Sequence, residues 1–597
     1  MTDRRYTELH THSYFSLLDG ASSPEDLAAR AAALGMDALA LTDHDAVYGA
    51  VRFAQAAQIH GLRPIFGAEL TLADDSHLTL LVRDTSGWAN LCTLITLARD
   101  NAPKGEARLP QGVLEDHAAG LIALSGCRRG AIPAAVQRGD TESALGLALH
   151  YAGLFGRDGF WIELQHHRHR DDVTRLRGLS RLAEAAKVGI VATNNVHYAE
   201  PSGRALHDVL ACIKHGLPLD ENPHLRHNAE YHLKSGAEMR ALFAGWPQAL
   251  ANTQHIAAQC DFTPQTGLQA LPVFPTPPGM DADAYLRDLC HYADLPERDR
   301  IQLDHELGII RASGLSNYFL IVWDIVRFAR EQGIACQGRG SAANSLVAYL
   351  LKISPVNPLE HDLTFERFLS AERQVVPDID IDFDAARREE VIQYVYGRYG
   401  TAHAAMACTL VTFRARSALR DVGKAFGLPP DLLDHVAGSL DVWQARHLPE
   451  SGTLQLALGG RVSIPTWQHI IALCEQIHKL PRHLGIHNGG MVITGAPLSQ
   501  RVPTEPATME DRTVVQWDKE SLEDAGLVKI DILGLRMLSA ISEAAAIVSA
   551  TGATFDLDAL TFDDPAVYAM ICEADTVGVF QVESRAQAQV LPRLKPR

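Results

Sequence analysis

Pro377-Asp378-Ile379-Asp380-Ile381-Asp382-Phe383 alternates strictly between acidic and apolar residues. Successive side chains of a strand point to opposite faces, so Asp378, Asp380 and Asp382 share one face while Ile379, Ile381 and Phe383 share the other. The apolar face can be buried. The acidic face then carries carboxylates that repel one another unless cations sit among them. Two-metal phosphoryl or nucleotidyl transfer requires this arrangement, with oxygen ligands shared between Mg²⁺ ions about 4 Å apart. The bland alternative is an acidic edge strand kept soluble by its charge. Asp is a poor strand former, and three in alternation are hard to explain that way.

Two neighbouring stretches extend this reading. Upstream, Gly333–Ser345 (Gly-Ile-Ala-Cys-Gln-Gly-Arg-Gly-Ser-Ala-Ala-Asn-Ser) predicts a short strand, a glycine turn and a helix through Leu346–Lys352. Unpaired backbone N–H groups at such a helix start form an anion site, to which Arg339 adds a guanidinium and Ser341 or Ser345 a hydroxyl. An ordinary tight turn is the alternative. Downstream, Gly526–Leu535 is an apolar strand interrupted by Lys529 and Asp531, two apart and therefore on one face. They form either a plain ion pair or a metal ligand beside a phosphate-binding cation. Between these stretches, a helix runs from Arg387-Arg388 to Tyr399, and Arg416, Arg420 and Lys424 form a cationic helical stripe at i, i+4, i+8. Pro429–Gln476 reads as largely helical, and Pro481–Ile493 as a glycine hinge and an apolar strand.

Residues 1 to about 200 read as alternating strands and helices. Tyr6–His12 is an expected strand, and Ser23-Pro24-Glu25-Asp26 opens a helix that stops at Gly35. Apolar runs at Ala38–Leu41, Pro64–Phe66, His77–Val82, Leu121–Leu124 and Ile190–Ala192 mostly end in polar residues, which suggests a β/α barrel with its site at the strand C-termini. Those ends carry His10, His12, Asp19, His44, Glu69, His77, Cys127 and His197. Imidazoles, carboxylates and one thiolate suit Zn²⁺ or a Mn/Fe-type cluster better than Mg²⁺. Pro272–Pro278 is a connector, and Tyr285–Tyr292, Leu303–Ser313 and the strongly apolar Tyr318–Arg330 are expected helices.

Composition sets the outer limits. The 597 residues are too many for one core, and 47 % hydrophobic with 21 % charged residues describes an ordinary globular chain. A net charge of −18 argues against a generic polyanion binder, so nucleic-acid contact has to come from local basic faces or bound metal. Nine cysteines without a CxxC pair, no signal-like start and no long apolar run lead us to expect a cytoplasmic protein that does not enter a membrane.

His10-Thr11-His12, Thr42-Asp43-His44, Gly67-Ala68-Glu69, His77–Leu81, Ser125-Gly126-Cys127 and Thr193–His197 resemble the PHP (polymerase and histidinol phosphatase) domain that opens bacterial C-family DNA polymerases. That likeness implies a distorted β/α barrel holding up to three metals through nine ligands, in some members a 3′→5′ exonuclease. Eight of the nine positions here carry suitable ligands; Asn195 stands where the family usually has Asp, which weakens one metal position and counts against nuclease activity.

Gln337–Ser345, Phe365–Leu369, the acidic stretch, Val391–Tyr396, Arg482–Ile493, Val515–Lys519 and Lys529–Leu535 resemble the palm and thumb of the same polymerases, nearest the error-prone branch. Gly578–Arg585 resembles the opening of the fingers. The fold expected is multidomain α/β: a PHP barrel (1–265), a polymerase beta-like nucleotidyltransferase palm in two parts (266–410 and 488–540), an inserted helical thumb (411–487) and the start of the fingers (541–597). The resemblance implies Asp378, Asp380 and Asp531 as the catalytic acids on Mg²⁺, with Gly338, Arg339, Gly340, Ser341 and Lys529 holding the incoming dNTP. It also implies primer–template DNA, and through a C-terminal half beyond Arg597 a sliding clamp and damage-tolerance proteins. A PHP phosphoesterase or exonuclease, the replicative alpha subunit and a non-catalytic scaffold are the alternatives.

Overall fold

In the computed structural model the described residues are 6–264, 269–369, 378–439, 462–552, 560 and 563–596. Pro377 of the acidic stretch and residues 440–461 of the expected thumb lie outside them. The chain divides into two compact units. One comprises Met1–Ala270, Thr401–His487 and Thr494–Val528; the other comprises Leu271–Gly400, Asn488–Ile493 and Lys529–Arg597.

The first unit is built on a six-stranded sheet in sequence order: β1 (Ala38–Leu41), β2 (Arg63–Thr71), β3 (His77–Val82), β4 (Leu121–Leu124), β5 (Phe160–Gln165) and β6 (Gly189–Thr193). β1–β2 and β4–β5–β6 pair in parallel, whereas β3 runs antiparallel to both neighbours. Every residue of β1, β3, β4 and β5 is buried, the mark of strands covered on both faces. The helix Pro24–Ala33 starts where the sequence places it, with Ser23 and Asp26 capping each other's backbone N–H.

Tyr6–His12 is not a strand, contrary to expectation. It makes single bridges, Glu8 to Leu39 and Thr11 to Val196, and so links the two ends of the sheet into a distorted barrel. The Glu8 carboxylate accepts the N–H of Leu9 and His10, and Thr42 Oγ1 accepts that of Thr11. Side chains take the donors that a continuous ladder needs.

The remaining strands are β7 (Cys336–Arg339), β8 (Asp380–Asp384), β9 (Ala404–Thr412), β10 (Pro481–Ile493), β11 (Thr504–Pro506), β12 (Thr513–Asp518) and β13 (Lys529–Leu535). Within the first unit, β12 pairs with β11 antiparallel and with β9 in parallel. The helices Ala415–Ala425, Pro430–Ser439 and Ile464–Ile477 share a core with the helix Arg204–His215: Leu206, Val209 and Leu210 pack with Leu419, Val422, Ile470 and Ile477. Arg416, Arg420 and Lys424 lie on the exposed face of their helix, as expected; Arg420 Nε donates to Asp434 at 2.7 Å.

In the second unit the end of β10 pairs antiparallel with β13, β13 pairs in parallel with β8, and β8 pairs antiparallel with β7. The registers place Asp531 opposite Asp380 and Arg339 opposite Asp380. Ile379, Ile381 and Phe383 are fully buried, and the apolar helix Ser316–Glu331 buries Tyr318, Phe319, Ile321, Val322 and Ile325. The apolar face is buried as the alternation requires, while on the acidic face Asp378 is exposed, Asp380 half-buried and Asp382 buried. Among the described residues no single helix is long and apolar enough to cross a membrane.

Candidate functional site

Each unit gathers one set of titratable side chains. In the barrel, Glu69 at the end of β2 is the hub. Its Oε1 lies 3.4 Å from His10 Nε2, and its Oε2 lies 3.6, 3.2 and 3.2 Å from His12, His44 and His77 nitrogens. Cys127 Sγ is 3.5 Å from His77 Nδ1, and the His12 ring stacks between those of His44 and His197. Asp19 sits 3.4 Å from His44 and 3.6 Å from His197. Of the eight ligands foreseen from sequence, Asp19, His44, Glu69, His77, Cys127 and His197 line a cavity of about 80 Å³ together with Asn195, and His10 and His12 join them through Glu69.

Three ligand groups are close enough to hold an ion: His10–His12–Glu69, His44–Glu69–His77 and Asp19–His197–His207. The first two fit a cation. His10 Nε2, His12 Nε2, Glu69 Oε1 and Asn195 Oδ1 are buried with no hydrogen-bond partner, each a cost of about 1–3 kcal/mol that a shared ion removes.

Supporting residues aim these ligands. Glu163 on β5 meets His10 Nδ1 at 2.7 Å, which turns Nε2 toward Glu69. Ser16 meets His12 Nδ1 at 3.1 Å and itself donates to Asp43 at 2.7 Å. Burial disfavours charge on His10, but Glu163 and Glu69 outweigh it and hold its pKa well above the usual imidazole range. For Glu69 burial likewise raises the pKa, and His77, His10 and His44 reverse it to well below the carboxylate range. His77 is pushed up to about 10, burial being overcome by Glu69 and Cys127. His12 goes the other way, lowered by burial and by its neighbour His44. Asp43, buried, rises to about 7.

In the second unit Asp378, Asp380 and Asp531 bring carboxylate oxygens within 4.8 Å of one another. Lys529 Nζ donates to Asp531, and to Asp378 at 3.3 Å. Burial and then the charges of Asp378 and Asp531 raise Asp380 to about 6. Arg339 reaches Asp382 at 3.4 Å and Asp380 at 3.8 Å, so it lies over the acids. The arrangement can hold divalent cations between three carboxylates with two basic side chains beside them.

The glycine turn is only partly as expected. Its helix is short, Leu346–Leu350, and its first N–H groups are already taken: buried Glu306 accepts from Leu346 N at 2.9 Å, Val347 N at 3.1 Å and Ser345 Oγ at 2.9 Å. A carboxylate fills the positive helix end, so the anion site expected there is corrected. What stays exposed is Gly340 and the Arg339 side chain, beside the half-buried Ser341. Gly338 is buried because its backbone packs on Ile353: its N–H donates to Ile353 O at 2.6 Å, and a Cβ there would meet the same oxygen at 2.6 Å.

The sequence reading missed Glu163, Ser16, Asp43, His207, Arg226, Lys214 and Glu306. Glu163 carried a signal, being an acid in the otherwise apolar start of β5, Phe-Trp-Ile-Glu-Leu. Arg226 and Glu306 carried none, because their partners are distant in sequence.

Residues 8–167 match the family described as "PHP domain", 283–534 "Bacterial DNA polymerase III alpha NTPase domain" and 537–597 "Bacterial DNA polymerase III alpha subunit finger domain". A protein of Mycobacterium bovis named "Error-prone DNA polymerase" is 42 % identical over 614 residues, covering 99 % of this chain and 55 % of that one. One of the same name from Symbiobacterium thermophilum is 43 % identical over 618 residues, covering 99 % and 56 %. The chain thus spans about half the length of the curated relatives it matches. Among solved structures, an amidohydrolase from Chromobacterium violaceum shows 18 % identity over 32 % of this chain and 87 % of its own, with a TM-score of 0.22, too low to carry weight.

Proposed function

Because the chain belongs to the bacterial DNA polymerase III alpha family, through PHP, polymerase-core and finger segments in that order, we propose that it is part of an error-prone, DNA-templated DNA polymerase acting in damage tolerance and translesion synthesis. The observation that carries this reading is the convergence of Asp378, just before β8, with Asp380 and Asp531 on the adjacent strands β8 and β13.

Asp378, Asp380 and Asp531 would hold Mg²⁺, which when bound supplies charge neutralisation at the phosphates and a lowered pKa for the primer 3′-OH. The chain's own residues do the rest. β8 and β13 fix Asp380 and Asp531 in register, Asp378 stands two residues before β8, and Lys529 is a cation for the triphosphate, held beside Asp531 until the phosphates compete for it. Arg339, the exposed Gly340 and the half-buried Ser341 form the second anion contact, with Gly338 setting the turn's position. Glu306 fixes the following helix.

In this reading 1–265 is the PHP barrel, 266–410 and 488–540 the palm, 411–487 the thumb and 541–597 the start of the fingers. The substrates are primer–template DNA and dNTPs; a sliding clamp and accessory damage-tolerance proteins are its partners, and the cytoplasm is its site of action. The barrel takes Zn²⁺ or Mn²⁺/Fe, on His10, His12, Glu69, His44, His77 and Cys127.

Primer extension on plain and lesion-bearing templates with Mg²⁺ tests the reading, with Asp380→Ala as control. Extension that vanishes in the control supports it; extension that survives Asp380→Ala sinks the assignment. A second reading, a metal-dependent phosphoesterase or exonuclease in the barrel, is favoured by the unpartnered ligand atoms around Glu69. Nucleotide release abolished by His12→Ala but not by Asp380→Ala would establish it.

A further inference from the structure

The third ligand group differs from the other two. His10 and His12 have Nδ1 held by Glu163 and Ser16, which leaves Nε2 without a hydrogen-bond partner. His197 has both nitrogens engaged. Its Nδ1 lies 2.7 Å from the Asp19 carbonyl oxygen, which can only accept, so Nδ1 carries the proton. Its Nε2 lone pair then accepts from Arg226 Nη2 at 2.7 Å. An imidazole so engaged has no lone pair left for a metal ion.

Asp19, the carboxylate of the group, is also served. Lys214 Nζ reaches it at 3.0 Å and Arg226 Nη2 at 3.8 Å. Arg226 is fixed from its other face, with its guanidinium 4.4 Å from the centre of the Tyr231 ring. Two cations stand where a divalent ion would have to sit, and their repulsion opposes its entry. Only His207 in this group keeps unpartnered nitrogens, and one imidazole does not hold a metal alone.

We propose that Arg226 and Lys214 are built-in cations that close the Asp19–His197 position, so that this barrel is a two-metal and not a three-metal centre. This rests on the reading of the barrel as a metal centre. Where the Glu69 hub collects acid charge for metal ions, the Asp19 position meets its need with side chains that cannot dissociate.

The test is zinc content of the 597-residue chain by plasma mass spectrometry after saturation and exhaustive dialysis, with Asp531→Asn alongside to subtract any metal on the palm acids. About two equivalents are expected in the parent, and about three in Arg226→Met/Lys214→Met, where methionine keeps the packing of the stems. Asp19→Ala should leave the parent count unchanged and abolish the gain in the double variant. Arg226→Leu/Lys214→Met, a second apolar replacement of the same stems, covers the case in which the methionine pair does not fold; it should show the same gain, whereas Lys214→Met alone should not, because Arg226 still occupies His197 Nε2. Three equivalents in the parent, a parent count that falls with Asp19→Ala, or no gain in a folded double variant would overturn the proposal. No retained zinc in the parent would overturn the metal-centre reading itself.

Discussion

The barrel centre and the palm centre both gather acids, yet they manage charge in opposite ways. Around Glu69 most ligands are buried and each acid lies near an imidazole or cation of the chain: Glu69 and Glu163 near His10, Asp19 near Lys214 and Arg226. In the palm three carboxylates share Lys529 and, more distantly, Arg339; Asp378 is 43 % exposed and Asp531 8 %. Asp380 accordingly rises to about 6, while Glu69 falls well below the usual carboxylate range. A centre wired into its own core keeps its geometry whether or not an ion is present. A centre left short of positive charge is one that draws ions from solution and exchanges them during turnover.

Four measurements press on this contrast. The largest effect belongs to the palm: Asp531→Ala should lower nucleotide incorporation by roughly a thousandfold or more with unchanged circular dichroism, since among the described residues no further acid joins the Asp378–Asp380 group. Incorporation within tenfold of the parent would erase the distinction. Next is the barrel's wiring. Glu163→Ala leaves His10 buried without its partner and should destabilise the first unit by about 3 kcal/mol in urea unfolding. Glu163→Gln, which keeps an acceptor but no charge, should lose less; equal losses would mean that the charge alone, and not the hydrogen bond, is what Glu163 supplies.

Third is pH. Asp380 titrates near 6, raised above its ordinary value, so below that pH a proton occupies the ligand and above it the carboxylate is free. The Mg²⁺ concentration for half-maximal extension should therefore rise about tenfold from pH 7 to pH 5 and flatten above pH 7. A flat profile would place the palm with the barrel as a pre-compensated site. The smallest effect concerns the stripe. Lys424→Ala should reduce the salt slope of DNA affinity by about 1, and Arg420→Ala by less because Arg420 already pairs with Asp434. Equal slopes for all variants would make the stripe a solvated face.

Much of this was legible before folding. The alternation of Asp378–Phe383 required one acidic and one buried face, and Ile379, Ile381 and Phe383 are indeed fully buried. The Lys529–Asp531 spacing required a common face, and the two side chains touch. Ser23 and Asp26 announced their helix. These are short-range consequences of a period of two or of a cap, written in consecutive residues.

The errors share one cause. Tyr6–His12 had a strand's composition but lost its ladder to Glu8 and Thr42, and the Leu346 helix had a phosphate-binding start that Glu306 already fills. In both, a side chain competes for backbone N–H groups: Glu8 from within the run, Thr42 and Glu306 from far along the chain.

The sequence by itself determined which residues carry chemistry, because ligand type and local periodicity are properties of neighbours. Only the tertiary structure decided how each is supplied with charge. Glu163 lies 153 residues from His10, Lys214 lies 195 from Asp19 and Arg226 lies 29 from His197. Electrostatic balance depends on distance in space, and no pattern along the chain encodes that distance.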